Sequence, residues 1–309
     1  MTVHPGLPRI LRIAGGFGLL AATAWLVGPQ RLIGALARAD AGALAAALAL
    51  AVASNLASAW RWGLIARALG LRAPTSALVA MYARGMTSNI LLPGATVSGD
   101  MLRSLQLSRL GNPLLESGVS VAFDRFSGLW TLCVLSFLAA GLAWATGLSL
   151  SEGDALSHYG LALGLVVIAP LLPWPVEWLE RLPWAPARRL AALWARFRDP
   201  GSGLRHRLLA TLPASLLVQL LSAAALAGCA SAVGLRLPLP LVFAAAAPVF
   251  VMAALPLGVA GFGTRELAAV AVLGLAGASP DTAFATGLLY GVLGVLQGIA
   301  AAPLFLLRR

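Results

Sequence analysis

Lysine is missing altogether from the 309 residues: all 22 basic side chains are arginine. A nucleotide-hydrolysing phosphate loop ends in a lysine, so ATP coupling through such a loop is excluded. Charge is scarce too, at 11% of residues against 60% apolar, a balance that one soluble core of this length cannot hide. The three histidines, His4, His158 and His206, are scattered over loops and span ends and form no metal-ligand cluster. The only two cysteines, Cys133 and Cys229, each sit inside an apolar run, where a small apolar residue is the plain reading and redox chemistry is not indicated. Neither a metal nor a cofactor is expected, and no catalytic residues are assigned.

What is present is a series of long uncharged runs, several near the roughly 20 residues that cross a bilayer as a helix. They fall at about 10 to 27, 42 to 66, 117 to 147, 157 to 175, 208 to 233 and 281 to 307. Arg9 and Arg12 precede the first run and no small-residue cleavage site follows clearly, so it reads as a retained helix. Two more apolar regions, about 75 to 110 and 239 to 279, are broken near their middles by Pro, Gly and polar residues. With six crossings, each broken region must return to the side it came from. The expectation is an all-α integral membrane protein, one polytopic domain over residues 1–309. It has about six full transmembrane helices plus two re-entrant or broken helical hairpins of opposite orientation, as in inverted-repeat transporters.

The net charge of +11 would suggest nucleic acid in a soluble protein, but here the arginines lie mostly between apolar runs, the positive-inside pattern. Arg67, Arg72, Arg103, Arg109, Arg308 and Arg309 share the side of the N-terminus, so both termini are expected to be cytoplasmic. The basic connection at about 176–207 marks that side most strongly, against the acidic Glu152 and Asp154 on the other; Arg31, Arg38 and Arg236 are exceptions outside. Trp184 to Phe197 alternates Trp, Leu and Ala with Arg at helical spacing, as an amphipathic helix on an anionic surface or a solvated loop would.

The first break runs from Asn89 through Pro93, Gly94, Ser98, Gly99 and Asp100, with Arg103 one turn on. Backbone freed by a break at membrane depth must be satisfied by protein or water, so the break should line a cavity. A helix restarting near Ser98 to Asp100 would aim its N-terminal amides at that cavity, which suits a phosphate. The second break, Pro256 to Glu266, repeats the chemistry with Thr264 as N-cap and Arg265 at the helix start, either binding an anion or pairing with Glu266 or Asp100. Asp124 and Arg125, adjacent within an apolar run, must have partners, in a structural ion pair or in a transport path. Arg84 poses the same question. Arg61, flanked by Trp60 and Trp62, reads as an interface anchor whose charge snorkels to the membrane surface. The candidate substrate-binding set is therefore Asn89, Ser98, Asp100, Arg103, Asp124, Arg125, Thr264, Arg265 and Glu266.

Four stretches stand out in order along the chain: Arg61-Trp62 with Arg67-Ala68-Leu69-Gly70, Asn89 to Arg103, Phe123-Asp124-Arg125 and Pro256 to Glu266. Together they resemble the membrane-domain family of lysylphosphatidylglycerol synthases. The resemblance implies a multi-pass protein of a bacterial or archaeal inner membrane, related to the flippase half of that synthase. The aminoacyl-transferring half is soluble and C-terminal; with the sequence ending at Arg309, synthase activity is not expected. Where the family often has Tyr-Arg in its last long helix, this chain has Tyr290-Gly291, and ahead of Asn89 it has Arg84-Gly85-Met86-Thr87-Ser88 in place of a frequent Gly-Gln, which suggests a relocated charge.

The function expected is that of a lipid transporter or flippase-like protein. Its partners would be membrane lipids, either an anionic phospholipid or a polyprenyl phosphate, and no nucleic acid; a homo-oligomer is compatible with this. The alternative is a membrane enzyme or accessory protein acting on lipid or polyprenyl substrates, as in hopanoid or glycolipid assembly.

Overall fold

A computed structural model describes residues 29–91, 97–148, 164–168, 185–255 and 261–305, with Trp25 and Ala162. Among the described residues every regular element is helical. These are α1 (Pro29–Ala37), α2 (Ala41–Ala68), α3 (Thr75–Leu91), α4 (Val97–Ser108), α5 (Leu114–Ala145), α6 (Ala185–Arg198), α7 (Leu204–Leu209), α8 (Leu212–Ala232), α9 (Leu239–Ala254), α10 (Thr264–Leu275) and α11 (Pro280–Ala301). Where the sequence predicts six crossings, four described helical stretches are long and apolar enough to span a membrane: Ala41–Ala68, Leu114–Ala145, Leu204–Ala232 and Pro280–Phe305. The run at 10 to 27 lies outside the described residues apart from Trp25, as do most of 157 to 175, residues 92–96 and 256–260, and residues 176–184 of the basic connection. The rest of that connection includes α6, which covers most of the predicted amphipathic stretch and stacks Trp194 on Phe197.

Small residues let the long helices approach closely. Ala47, Ala51 and Ser54 of α2 are buried, and a Cβ added to Gly228 of α8 would stand 2.9 Å from the Cβ of Ala47. At that contact Ser54 Oγ lies 2.7 Å from Ser222 Oγ and donates to the Val218 carbonyl. Such interfaces replace the hydrophobic drive that a bilayer cannot supply between helices. Leu138, Leu142 and Trp144 point outward, as lipid-facing residues would.

Each broken region is a pair of short helices packed on each other, α3 with α4 and α9 with α10. At 1.5 Å per residue their lengths come to roughly 18 to 26 Å, short of the roughly 30 Å hydrocarbon core. Leu255 ends α9 in an extended conformation, because the proline after it disfavours the helical region for the residue before. Both pairs sit between α5 and α11 in opposite order: α3 packs on α11 and α4 on α5, whereas α9 packs on α5 and α10 on α11.

The first pair closes on glycine. A Cβ at Gly99 would overlap the Gly85 carbonyl oxygen and the Asn89 side chain, whose Oδ1 accepts from the Gly99 amide at 2.8 Å. Gly99→Ala is expected to cost about 1 to 3 kcal/mol by overpacking. The reading is a lower unfolding midpoint in detergent, with Gly118→Ala, which has nothing within 4 Å of the added methyl, as control. Equal midpoints for the two variants would refute the close approach.

Candidate functional site

α2, α4 and α5 converge with five charged side chains. Asp124 of α5 is 1% exposed. Its Oδ1 accepts from Arg61 Nε at 2.9 Å and lies 2.7 Å from Arg61 Nη2, and its Oδ2 accepts from Arg103 Nη2 at 2.8 Å. Arg61 also donates to the Asp124 carbonyl at 2.9 Å. Asp100 of α4, three residues before Arg103, is held instead by Arg125, whose Nε and Nη2 form a fork of bonds of 2.8 to 3.0 Å. Three guanidiniums against two carboxylates leave one net positive charge in this cluster.

Arg103 is only 2% exposed. Its guanidinium lies 4.3 Å from the Trp62 ring centroid and 4.6 Å from that of Tyr82, so the aromatic faces partly replace the water it has lost. Trp62 is fixed in turn by its indole N–H, which donates to Ser120 Oγ at 3.1 Å. Arg103 Nε and Nη1 and Arg61 Nη1 make no hydrogen bond, and the nearest carboxylate to Arg103 Nη1 is Asp100 at 3.5 Å. A Cβ on Gly128 would stand 2.8 Å from Arg61 Nη1, so α5 is hollowed there to admit the guanidinium.

The second break builds a neutral pair. Arg265 Nε and Nη2 donate to Glu266 Oε1 at 3.1 and 3.0 Å, and Nε donates also to the Gly287 carbonyl at 3.0 Å. Glu266 Oε2 accepts from the Gly263 amide, so one carboxylate caps α10 and holds the arginine. Gly263 sits at φ 90°, a conformation open to glycine, which brings its N–H round to Glu266. The Arg265 guanidinium lies 4.9 Å from the Phe262 ring centroid. It packs on the bare backbone of Gly291, where a Cβ would overlap it.

Between the clusters lies a cavity of about 650 Å³. Asn89 and Asp100 reach it from the first broken pair and Arg265 from the second, while α5 contributes Asp124 and Arg125. Ser98, Arg103, Thr264 and Glu266 are not among its lining residues. Arg125, 36% exposed, and Asp100, 22% exposed, are the accessible charges; Asp124 is sealed by its two arginines. Arg265 Nη1 makes no hydrogen bond among the described residues, and Arg265 is one of the residues that line the cavity.

Several sequence expectations are corrected here. Arg61 is not an interface anchor: it is 4% exposed and ion-paired, with Trp62 wholly buried beside it. Successive helical residues point about 100° apart, so of the three only Trp60 faces out, at 46% exposure. Thr264 is the first residue of α10 and not its N-cap; its hydroxyl donates to the Gly261 carbonyl at 3.3 Å, and Glu266 does the capping. The α4 N-terminus does not offer the Gly99 amide to a ligand, because Asn89 Oδ1 takes it. Ser98 likewise turns back, donating to the Ser88 carbonyl at 3.2 Å. Arg84 does not relocate a charge into the cavity: it is not among the lining residues, and its Nε donates to the Leu304 carbonyl at 2.9 Å.

Sequence reasoning also missed the neutral wall formed by Ser54, Asn55, Ser58, Gln219, Ser222 and Gln297. They are a few polar residues scattered in otherwise apolar helices, but the spacing of Ser54 and Ser58, and of Gln219 and Ser222, puts each pair on one helix face. Among the described residues no group of three His, Cys, Asp or Glu stands ready to hold a metal. Cys133 and Cys229 are buried free thiols.

Comparison with known families assigns residues 9–301 to a family model described as the lysylphosphatidylglycerol synthase TM region. A search of curated proteins finds no match.

Proposed function

Because the chain belongs to the family of the lysylphosphatidylglycerol synthase membrane region, a multi-pass membrane family with a lipid-related role, we propose that it is a lipid transporter or flippase-like protein. It takes an anionic phospholipid head group into the cavity between its two broken helical pairs. The observation that carries this reading is the presence of both Arg125 and Arg265 in the lining of one cavity of about 650 Å³, a volume in the range of small-molecule sites. The opposite order in which the two pairs pack on α5 and α11 supports their reading as re-entrant elements of opposite orientation.

The roles divide between the two clusters. Arg125 presents a planar fork that matches a phosphodiester in the geometry it now offers Asp100. An arriving phosphate competes with Asp100 for that fork, so Asp100 holds Arg125 in place when the site is empty and sets how tightly the anion binds. Arg265 supplies the second contact from the far wall through its spare Nη1. Asp124, Arg61 and Arg103 act behind, as a scaffold whose net charge favours an anion in front of it.

The test is transbilayer movement of fluorescent anionic and zwitterionic lipids in proteoliposomes at matched reconstitution. Wild type is expected to move the anionic probe faster. Arg125→Gln should slow it about tenfold, the worth of one charge-assisted hydrogen bond. Asp100→Asn, which frees Arg125, should tighten anionic lipid binding by about the same factor while slowing release. Movement of neither lipid by folded protein, or movement indifferent to both substitutions, would defeat the reading. Chemical conversion of a lipid without movement would point to the enzyme instead.

A further inference from the structure

A second hollow, of about 260 Å³, lies between α2, α3 and α11, and it shares Asn55, Tyr82, Met86 and Gln297 with the main cavity. Among the described residues those four include its only polar side chains; the remaining lining, from Val52, Leu56 and Ala59 to Val79, Ala83 and Ala300, is hydrocarbon. Val52 and Leu56, at 39% and 54% exposed, stand on the outer face of α2, so the hollow opens sideways toward the bilayer interior. Polarity therefore changes from charged to neutral to apolar along one continuous path.

At the junction Asn55 Nδ2 donates to Gln297 Oε1 at 2.8 Å, and Gln297 Nε2 donates to the Leu293 carbonyl at 3.1 Å. Asn55 is midway along the 28 residues of α2. Two amides at that depth have no reason to face lipid, and interhelical amide bonds there hold helices together. Here the bond also forms a neck between a polar chamber and an apolar groove.

Building on the proposed head-group site, we infer that the α2–α3–α11 groove is the acyl-chain portal of that site. A lipid's head group stands in the cavity, one hydrocarbon chain runs out through the groove, and its glycerol ester region sits at the Asn55–Gln297 neck. The occupant is a hydrocarbon chain and not a helix of a partner. A helix is about 10 to 12 Å across and would fill this volume in about two residues of rise. Amide N–H groups at the neck match the ester carbonyls of a glycerolipid, which are acceptors without donors of their own.

The experiment uses the full chain in liposomes with two phosphatidylglycerol probes, one carrying a photoactivated diazirine on an acyl chain and one on the head group. Labelled residues are mapped by mass spectrometry, with outward-facing Leu138 and Leu142 as the measure of bulk lipid contact. The expected result is cavity labelling at Ser58 or Gln219 by the head-group probe. The acyl probe should label Val79, Ala83 or Ala300 about tenfold above Leu138 and Leu142. Ala83→Trp should abolish the acyl labelling of the groove and leave the head-group labelling. Cavity labelling with the groove at bulk level would overturn the portal and leave the head-group site standing. Absence of cavity labelling would overturn the head-group site, and the portal with it even if the groove is labelled, since the groove would then hold only surrounding lipid.

Discussion

Asp124→Ala is expected to destabilise the protein by about 3 to 5 kcal/mol, the range for removing one partner of a buried ion pair. The size follows from what the substitution strands. Asp124 is the common acceptor for Arg61 and Arg103, both under 5% exposed, and three of their nitrogens already lack a hydrogen bond. Without the carboxylate two guanidiniums would face each other across α2 and α4. Asp100, 3.5 Å from Arg103 Nη1, offsets only part of the loss, because both its oxygens already accept from Arg125 and it makes no contact with Arg61. Equilibrium unfolding in mixed micelles reads the loss. Replacing all three members, Arg61→Met, Arg103→Met and Asp124→Leu, should cost far less than Asp124→Ala alone, since apolar replacement of a whole buried ionic cluster is often near neutral. A loss below about 1 kcal/mol for Asp124→Ala would mean that water or lipid reaches the cluster.

This division between a sealed carboxylate and an accessible one was only half legible in the sequence. Long apolar runs announced α2, α5, α8 and α11, because each carries enough uncharged residues to cross a bilayer and little else competes for them. The two broken pairs were legible through Pro93, Gly94, Pro256 and Gly261, since proline and glycine interrupt helices for local reasons that need no tertiary context. That Asp124 and Arg125 must have partners was legible as well. Which partners they take was not, because Asp124 meets Arg61 and Arg125 meets Asp100 over separations of 63 and 25 residues that only packing decides. The tryptophans around Arg61 misled for a related reason. Trp60 and Trp62 look alike in a linear string, yet helical rotation sends one to the surface and the other against Arg103.

The larger consequence of that packing is expected at Gly291. Arg265→Ala should cost about 3 kcal/mol by leaving Glu266 buried without its cation, and should abolish movement of anionic lipid. Gly291→Ala should mimic the transport defect at a smaller stability cost, about 1 to 3 kcal/mol. The reason is that its methyl would overlap the Arg265 guanidinium and push it off Glu266 and the Gly287 carbonyl, while the end of a flexible side chain can still move aside. A double-mutant cycle isolates the effect. In the Arg265→Ala background there is no guanidinium to displace, so Gly291→Ala should become nearly neutral, and the coupling between the two sites should approach the full Gly291→Ala penalty. If Gly291→Ala costs the same with and without Arg265, the contact is incidental and the far wall of the cavity must owe its charge to another residue.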